Sequence, residues 1–190
     1  MVIGTTDFKS GVKIEVDGFP YEIVDFVHVK PAKGGSFVRT KMRNLKTGNT
    51  LERTFRSVEK FELSDIADRE MQFLYLQGEA FHFMDTESYE QTFLTIAQVG
   101  HARNFLKENM LTQIMFYKGD PIGVTLPNFV ELTITETAPG VKGDTATGGT
   151  KLAKLETGGE VKVPLYIEEG TLIKIDTRSG NYIERVRYGP

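Results

Sequence analysis

The chain contains no cysteine, and this absence removes several kinds of chemistry at once. Without cysteine there is no disulfide framework, no thiolate nucleophile and no thiolate metal site. No stretch approaches the roughly 18 apolar residues of a membrane span, so the sequence predicts no transmembrane helix and no membrane partner. Residues 1–7 have neither the basic nor the apolar region of a secretion signal. We therefore expect a soluble protein of the cytoplasm.

Catalytic patterns are missing as well. The three histidines, His28, His82 and His101, are far apart in the sequence, and none lies in a metal-binding motif. Residues 143–150 superficially resemble a phosphate-binding loop, but Gly149 stands where such a loop needs lysine. Neither G-x-S-x-G nor G-x-G-x-x-G occurs. The sequence therefore predicts a protein that is not an enzyme and has no catalytic residues, no metal site and no cofactor.

Composition and short strand signals predict an all-β protein. The 190 residues are 39% hydrophobic and 26% charged, which is typical of globular proteins. Short runs rich in β-branched and aromatic residues alternate with turn signals such as Asp17-Gly18. Changes in charge and turn chemistry after Ser64 and at Pro127 predict three small β-barrels, over residues 1–64, 65–127 and 128–190. Because each barrel has a small core, docking of the second on the third would stabilise both.

The central segment carries the one helical pattern. Four apolar residues between positions 99 and 106 follow helical spacing, which predicts a short helix over residues 97–109. A weak internal repeat relates the segment after Gly78 to the segment after Gly170. The second and third barrels are therefore predicted to be related five-stranded barrels.

Positive charge is concentrated near the N-terminus. Residues 1–64 carry a net charge of +3, whereas residues 65–126 carry −5 and residues 127–190 carry −1. Between positions 28 and 56 there are eight lysines and arginines and one acidic residue, Glu52. Such a patch on an acidic chain predicts one end that faces a polyanion. A solvated lysine-rich surface is the alternative interpretation.

The segment around Lys33 suggests how that end is built. Pro31 stiffens the entry to a predicted hairpin loop, and Gly34 and Gly35 permit backbone conformations that a side chain would forbid. These residues would hold Lys33 at the loop tip, although an ordinary surface turn is the alternative. In the following strand cations alternate with uncharged residues, which places on one face Arg39, Lys41 and Arg43. A lysine tip backed by a cationic stripe suits a phosphate backbone.

Two distant segments of the chain carry multi-residue motifs. The first is KPAKGGSFVR at residues 30–39, which continues through RNL at 43–45 and TLERTF at 50–55. The second is the pattern K-x-A-x4-G-x2-V-x-V-P-x2-I-x2-G at residues 151–170. The first segment resembles the bacterial translation elongation factor P family, and the second fits that family's C-terminal signature at every fixed position. The stretches ETAPG at 136–140 and GDT at 143–145 are also similar to the family's, so the resemblance covers essentially the whole chain.

The resemblance implies a fold and a function. The fold would be an SH3/KOW-like barrel followed by two OB-fold barrels in an L-shaped, tRNA-like arrangement. The protein would bind the 70S ribosome, and its rRNA, between the P and E sites. There it would contact P-site peptidyl-tRNA and promote peptide-bond formation where consecutive prolines stall synthesis. It would act as a monomer, with no DNA partner.

The resemblance also implies roles for individual residues. Lys33 would reach toward the CCA end of the P-site tRNA and would carry a cationic extension installed by a lysine-modifying enzyme. The remaining tip-loop residues are Pro31, Ala32, Gly34 and Gly35. The residues expected to contact tRNA or rRNA are Lys30, Arg39, Lys41, Arg43 and Arg53. A loop approaching the small subunit and the E-site codon would contain Gly143, Asp144 and Thr145.

Other interpretations stay open, of which an enzyme is the remotest. The nearest is an elongation-factor-P-like paralogue that serves a different set of stalls. The two-domain archaeal and eukaryotic hypusine factor fits less well, because this chain has a third predicted barrel. A generic OB-fold protein that binds single-stranded nucleic acid would use the second and third barrels. Their combined net charge of about −6 argues against that function.

Overall fold

Antiparallel β-strands dominate the structure, a computed structural model that describes residues 1–140 and 149–188. The all-β prediction and the prediction of one short helix in the middle segment are confirmed. The chain divides into two compact units, Met1–Arg69 with Ile114–Gly123, and Glu70–Gln113 with Val124–Pro190. Every sheet lies within one of the three ranges expected for the barrels. The domain boundaries themselves stay a prediction.

The first segment forms two small sheets around an aromatic core. Its strands are β1 (Val2–Gly4), β2 (Lys13–Val16), β3 (Phe19–Val29), β4 (Phe37–Asn44), β5 (Thr50–Arg56) and β6 (Lys60–Glu62). Strands β2-β3-β4-β5 form an antiparallel sheet in that order, and β1 pairs with β6. The rings of Phe8, Phe55 and Phe61 pack edge-on or tilted against one another between the sheets. Such aromatic packing gives a small domain a large share of its buried apolar area.

The second and third segments contain sheets with the same strand order. The second has β7 (Ile66–Gln77), β8 (Ala80–Asp85), β9 (Gln91–Thr95), β10 (Leu111–Tyr117) and β11 (Asp120–Thr125). The third has β12 (Phe129–Thr137), β13 (Thr150–Leu155), β14 (Glu160–Pro164), β15 (Leu172–Asp176) and β16 (Asn181–Arg185). In both sheets the order is third, second, first, fourth and fifth strand. Among the described residues the predicted five-stranded repeat is therefore confirmed.

The helix is shorter than its sequence pattern predicts. Helix α1 (Ile96–Val99) is followed by a 3-10 turn over Gly100–Asn104, so the helix predicted over residues 97–109 is wrong in length. Thr95 caps the start of α1 by accepting a hydrogen bond from the Gln98 backbone. At the other end Gly100 has a positive φ of 57°, a backbone conformation that favours glycine and cannot continue the helix.

Phe105 explains the misleading helical spacing. This ring lies beyond α1 and is 1% exposed, but it belongs to the hydrophobic core of the third barrel, together with Leu132 and Val163. Its burial therefore comes from docking between barrels and not from one face of a helix. Phe105 therefore joins the second segment to the core of the third.

A close backbone approach tightens the same junction. Thr157, in the turn between β13 and β14, donates a hydrogen bond to the carbonyl oxygen of Asn104. Gly159 lies two residues after Thr157 and is buried against Asn104. A Cβ at position 159 would lie 2.5 Å from the Asn104 carbonyl oxygen. Glycine is required here by space, because real Cβ atoms do not approach an oxygen so closely.

We predict that Gly159→Ala weakens this junction. The added methyl group must displace Asn104, and such overpacking costs about 1–3 kcal/mol, which lowers Tm by roughly 3–10 °C in a chain of this size. Differential scanning calorimetry measures the shift. Gly123→Ala is the matched control, since a Cβ there meets no atom within 4 Å. An unchanged Tm for Gly159→Ala would show that the junction does not depend on this contact.

Candidate nucleic-acid interface

The loop that carries Lys33 connects the two longest strands of the first barrel. Strand β3 pairs with β4 up to Val29 opposite Phe37, and residues 30–35 project beyond this last pair with exposed side chains. Gly34 has a φ of 99°, and an added Cβ at Gly34 would meet no neighbour within 4 Å. Glycine is therefore favoured at Gly34 by backbone conformation and not by crowding. Lys33 occupies an exposed loop, as the sequence predicts.

The base of this hairpin is anchored in the core. Strand β4 alternates strictly between buried and exposed side chains from Val38 to Asn44. Val38 and Met42 are fully buried with Phe55 in the core of the first barrel. The opposite face of β4 presents the cations Arg39, Lys41 and Arg43. The predicted period-two placement of these three cations is confirmed.

Acidic neighbours compensate the cations on the half of β4 farther from the loop. Arg43 forms an ion pair with Glu22 of β3. Lys41 lies directly between Asp25 on β3 and Glu52 on β5 in the strand register. Because directly opposed residues point to the same face, these carboxylates reduce the positive potential around Lys41 and Arg43.

The half of the same face nearer the loop keeps its positive charge. Arg39 lies between Val27 and Thr54, so neither cross-strand neighbour is acidic. Arg56 lies opposite Phe37 on this face, although the Glu59 carboxylate accepts a 2.7 Å hydrogen bond from the Arg56 backbone nitrogen. We define the loop-proximal cations as Lys30, Lys33, Arg39 and Arg56. Arg56 is not among the contacts expected from the sequence, and its register with β4 is the signal that places it here.

Arg53 lies on the other face of the sheet. It is opposite Thr40, which is fully buried, and its guanidinium donates a 2.6 Å hydrogen bond to Asp17. This hydrogen bond to Asp17 raises the pKa of Arg53. The guanidinium also lies 5.5 Å from the centre of the Phe55 ring. The structure therefore does not bring Arg53 together with the other predicted nucleic-acid contacts.

The second predicted contact loop can be placed only at its edges. Gly143, Asp144 and Thr145 lie outside the described residues. Before them, Gly140 approaches the Leu165 carbonyl so closely that a Cβ would lie 2.8 Å from its oxygen. After them, the Lys151 ammonium donates a 2.5 Å hydrogen bond to the Ala138 carbonyl. These contacts hold Gly140 and Lys151 against their neighbours in the third barrel.

Two further properties bear on the kind of site present. Within residues 1–140 and 149–188, no group of three histidine, aspartate or glutamate side chains is arranged to hold a metal ion. The same part of the chain has no helix long and apolar enough to cross a membrane. The exposed Lys33 loop and the loop-proximal cations form the candidate interface.

Three family models match successive parts of the chain. The model described as the elongation factor P KOW-like domain matches residues 4–61, and the elongation factor P OB domain matches residues 66–124. The model described as elongation factor P, C-terminal, matches residues 130–185. Together these matches identify the first sheet system as KOW-like and the second as an OB fold.

Individual relatives agree with the family models. The chain is 55% identical to elongation factor P from Natranaerobius thermophilus, over 98% of this chain and 99% of that protein. It is also 55% identical to elongation factor P from Caldanaerobacter subterraneus, over 97% of this chain and all of that protein. Among solved structures, eukaryotic translation initiation factor 5A from Methanococcus jannaschii is similar, with a TM-score of 0.55 and 26% identity. That alignment covers 66% of this chain and 92% of the archaeal protein. The chain therefore belongs to the elongation factor P family of translation elongation factors.

Proposed function

We propose that the protein binds the 70S ribosome between the P and E sites and promotes peptide-bond formation at consecutive-proline stalls. In this proposal Lys33 reaches toward the CCA end of the P-site peptidyl-tRNA. The observation that carries it is the exposed Lys33 loop at the end of a hairpin whose base is fixed in the core by Val38 and Met42. Membership of the elongation factor P family supports the same role.

The factor would act by positioning and not by bond chemistry. Residues 30–36 contain no histidine, aspartate or glutamate, so the tip offers no carboxylate or imidazole to act as a general base. Proline is a conformationally restricted nucleophile, and a poorly aligned peptidyl-tRNA raises the barrier to its attack. Holding the tRNA end in a productive geometry lowers that barrier because less motion must be frozen in the transition state.

Lysine chemistry suits the contact at the tip. An ammonium on a flexible four-carbon stem donates to phosphate and ribose oxygens from several directions. A cationic extension of Lys33, installed by a dedicated enzyme, would lengthen the reach of the side chain. The exposure of residues 30–35 supports access by such an enzyme. The Gly143-Asp144-Thr145 segment would approach the small subunit and the E-site codon.

The loop-proximal cations would lie along tRNA or rRNA phosphates. Arg39 has no acidic cross-strand neighbour, so its charge is available to a phosphate partner. Arg43 is already paired with Glu22, and Lys41 has carboxylates opposite it on both sides. Within this proposal the protein acts as a cytoplasmic monomer without a DNA or membrane partner.

Removing the Lys33 side chain tests the tip. We expect Lys33→Ala to abolish acceleration of peptide-bond formation on ribosomes stalled at a Pro-Pro-Pro message, with Tm unchanged because the exposed side chain carries no packing. Quench-flow measurement of tripeptide formation gives the rate. The protein is taken from its own host, and mass spectrometry of the Lys33 peptide records its modification state.

Lys60→Ala is the matched control, since Lys60 is an exposed lysine elsewhere on the first barrel. Equal acceleration by wild type and Lys33→Ala would contradict the proposed role of the tip. Acceleration by the wild type only at stalls of another kind would identify a paralogue with a different stall spectrum.

Charge removal on the two halves of β4 tests the interface. We expect Arg39→Gln to weaken ribosome binding about fivefold or more, and to reduce the slope of log affinity against log salt by about 1. Arg43→Gln should change affinity by less than about twofold, because Arg43 is already paired with Glu22. Filter binding at several salt concentrations measures both quantities, and Tm reports the loss of the ion pair. Equal losses from the two variants would show that the acidic neighbours do not decide which cations bind.

A further inference from the structure

The hairpin formed by β10 and β11 is grouped with the first barrel. Residues Ile114–Gly123 form one compact unit with Met1–Arg69, although these two segments are far apart in the sequence. The turn of this hairpin begins at Tyr117, whose side chain is 6% exposed. A buried tyrosine at a turn usually has a specific partner for its hydroxyl group.

That partner is Glu15 of β2. The Tyr117 hydroxyl donates a 2.7 Å hydrogen bond to Glu15 Oε1, and the Ser64 hydroxyl donates a 3.2 Å hydrogen bond to the same oxygen. The Lys118 backbone nitrogen donates a 3.0 Å hydrogen bond to the Asp65 carbonyl oxygen. Strand β2, the segment between β6 and β7, and the β10–β11 turn therefore meet around one carboxylate.

The surroundings of Tyr117 favour a fixed geometry. The ammonium groups of Lys46 and Lys118 lie 5.4 Å and 5.2 Å from the centre of the Tyr117 ring. Burial, and then the hydrogen bond to Glu15, raise the pKa of Tyr117, so the phenol stays protonated and donates throughout the neutral range. The second carboxylate oxygen of Glu15 is buried without a hydrogen-bond partner. A hydrogen bond from a buried phenol to a carboxylate oxygen with so few competing donors is directional.

The Tyr117–Glu15 contact lies far enough from the Lys33 loop that a small rotation at the contact would displace the loop. Lys46 lies in the turn after β4, whereas the Lys33 loop precedes β4, so the two features lie at opposite ends of the same strand. The eight residues of β4 span about 26 Å at the usual rise per residue. A rotation of about 10° at the Tyr117 end would therefore move the loop by about 4–5 Å. Displacements of this size matter when a tip group must meet one end of a tRNA.

We propose that the Tyr117–Glu15 hydrogen bond is a pivot that holds the first barrel at a fixed angle to the β10–β11 hairpin and thereby positions Lys33. This inference rests on the proposed function of Lys33. Tyr117 and Glu15 are positioning residues, since neither lies in the exposed loop. Glu15 is half-buried, and neither residue belongs to the aromatic core of the first barrel. Removing the Tyr117 hydroxyl group therefore leaves that core intact, but the angle between the first barrel and the β10–β11 hairpin is no longer fixed.

Three variants separate the hydrogen bond from the packing. Tyr117→Phe keeps the ring and its lysine neighbours but removes the donor. Glu15→Ala removes the acceptor, and Glu15→Gln restores an oxygen acceptor of the same size. Tyr75→Phe is the matched control, because Tyr75 is 41% exposed on the second barrel and its ring stacks on His82.

The angle is measured by spin labels on the full chain. Since the protein has no cysteine, Val58→Cys on the first barrel and Asp120→Cys at the start of β11 introduce two unique labelling sites at exposed positions. We expect Tyr117→Phe and Glu15→Ala to broaden the distance distribution between the labels, measured by double electron–electron resonance. Glu15→Gln and Tyr75→Phe should retain the wild-type distribution.

The functional consequence is measured without labels on ribosomes stalled at Pro-Pro-Pro. We expect Tyr117→Phe to lower the maximal rate of peptide-bond formation about tenfold, while the half-saturating factor concentration changes by less than about twofold. A lower maximal rate at a nearly unchanged half-saturating concentration indicates that the tip is misplaced, and not that binding or folding is lost. Mass spectrometry confirms equal Lys33 modification in every variant.

The outcomes distinguish the pivot from the proposed function. Broader distances together with a lower maximal rate support the pivot. Unchanged distances in Tyr117→Phe overturn it, and so do broader distances with an unchanged maximal rate. If the wild-type protein itself gives no acceleration, the proposed function fails, and the positioning role of the pivot fails with it. The distance distributions would still show whether the hydrogen bond fixes the angle.

Discussion

The alternation of side chains along β4 is the constraint on which the candidate interface depends. A strand places successive side chains on opposite faces, so burying Val38 and Met42 forces Arg39, Lys41 and Arg43 outward. The same burial fixes the base of the hairpin that carries the exposed loop. A single local pattern therefore supplies both a rigid support for Lys33 and a cationic surface beside it.

Small barrels need contacts beyond their own cores, and this chain makes them at two junctions. Phe105 belongs to the second segment, but its ring is buried in the core of the third barrel. At the same junction, Gly159 permits a close backbone contact with Asn104. Tyr117 reaches Glu15 of the first barrel. The first junction adds apolar burial, which stabilises two small cores together. The second adds a directional hydrogen bond, which is better suited to fixing an angle than to supplying stability.

Local features of this structure could be predicted from the sequence, whereas features that depend on distant partners could not. The β4 alternation, the Lys33 loop and the repeated barrels follow from short-range periodicity and turn residues. The compensation of Lys41 depends on the register of three strands, and the β3–β4 register shifts between Ile23 and Asp25. Helix α1 ends before the helical spacing does, because Phe105 is buried by another barrel and not by one face of a helix. The Tyr117–Glu15 bond joins residues 102 positions apart, which no local pattern indicates.

The most direct test of the central claim is to find what the tip touches on the ribosome. A photo-crosslinking amino acid at position 32 leaves Lys33 in place beside it. On ribosomes stalled at consecutive prolines, the account predicts crosslinks to the 3′-terminal nucleotides of the P-site tRNA, absent from a control probe at position 58. Crosslinks confined to other ribosomal components would contradict the account, because the loop would then lie away from the reacting tRNA end.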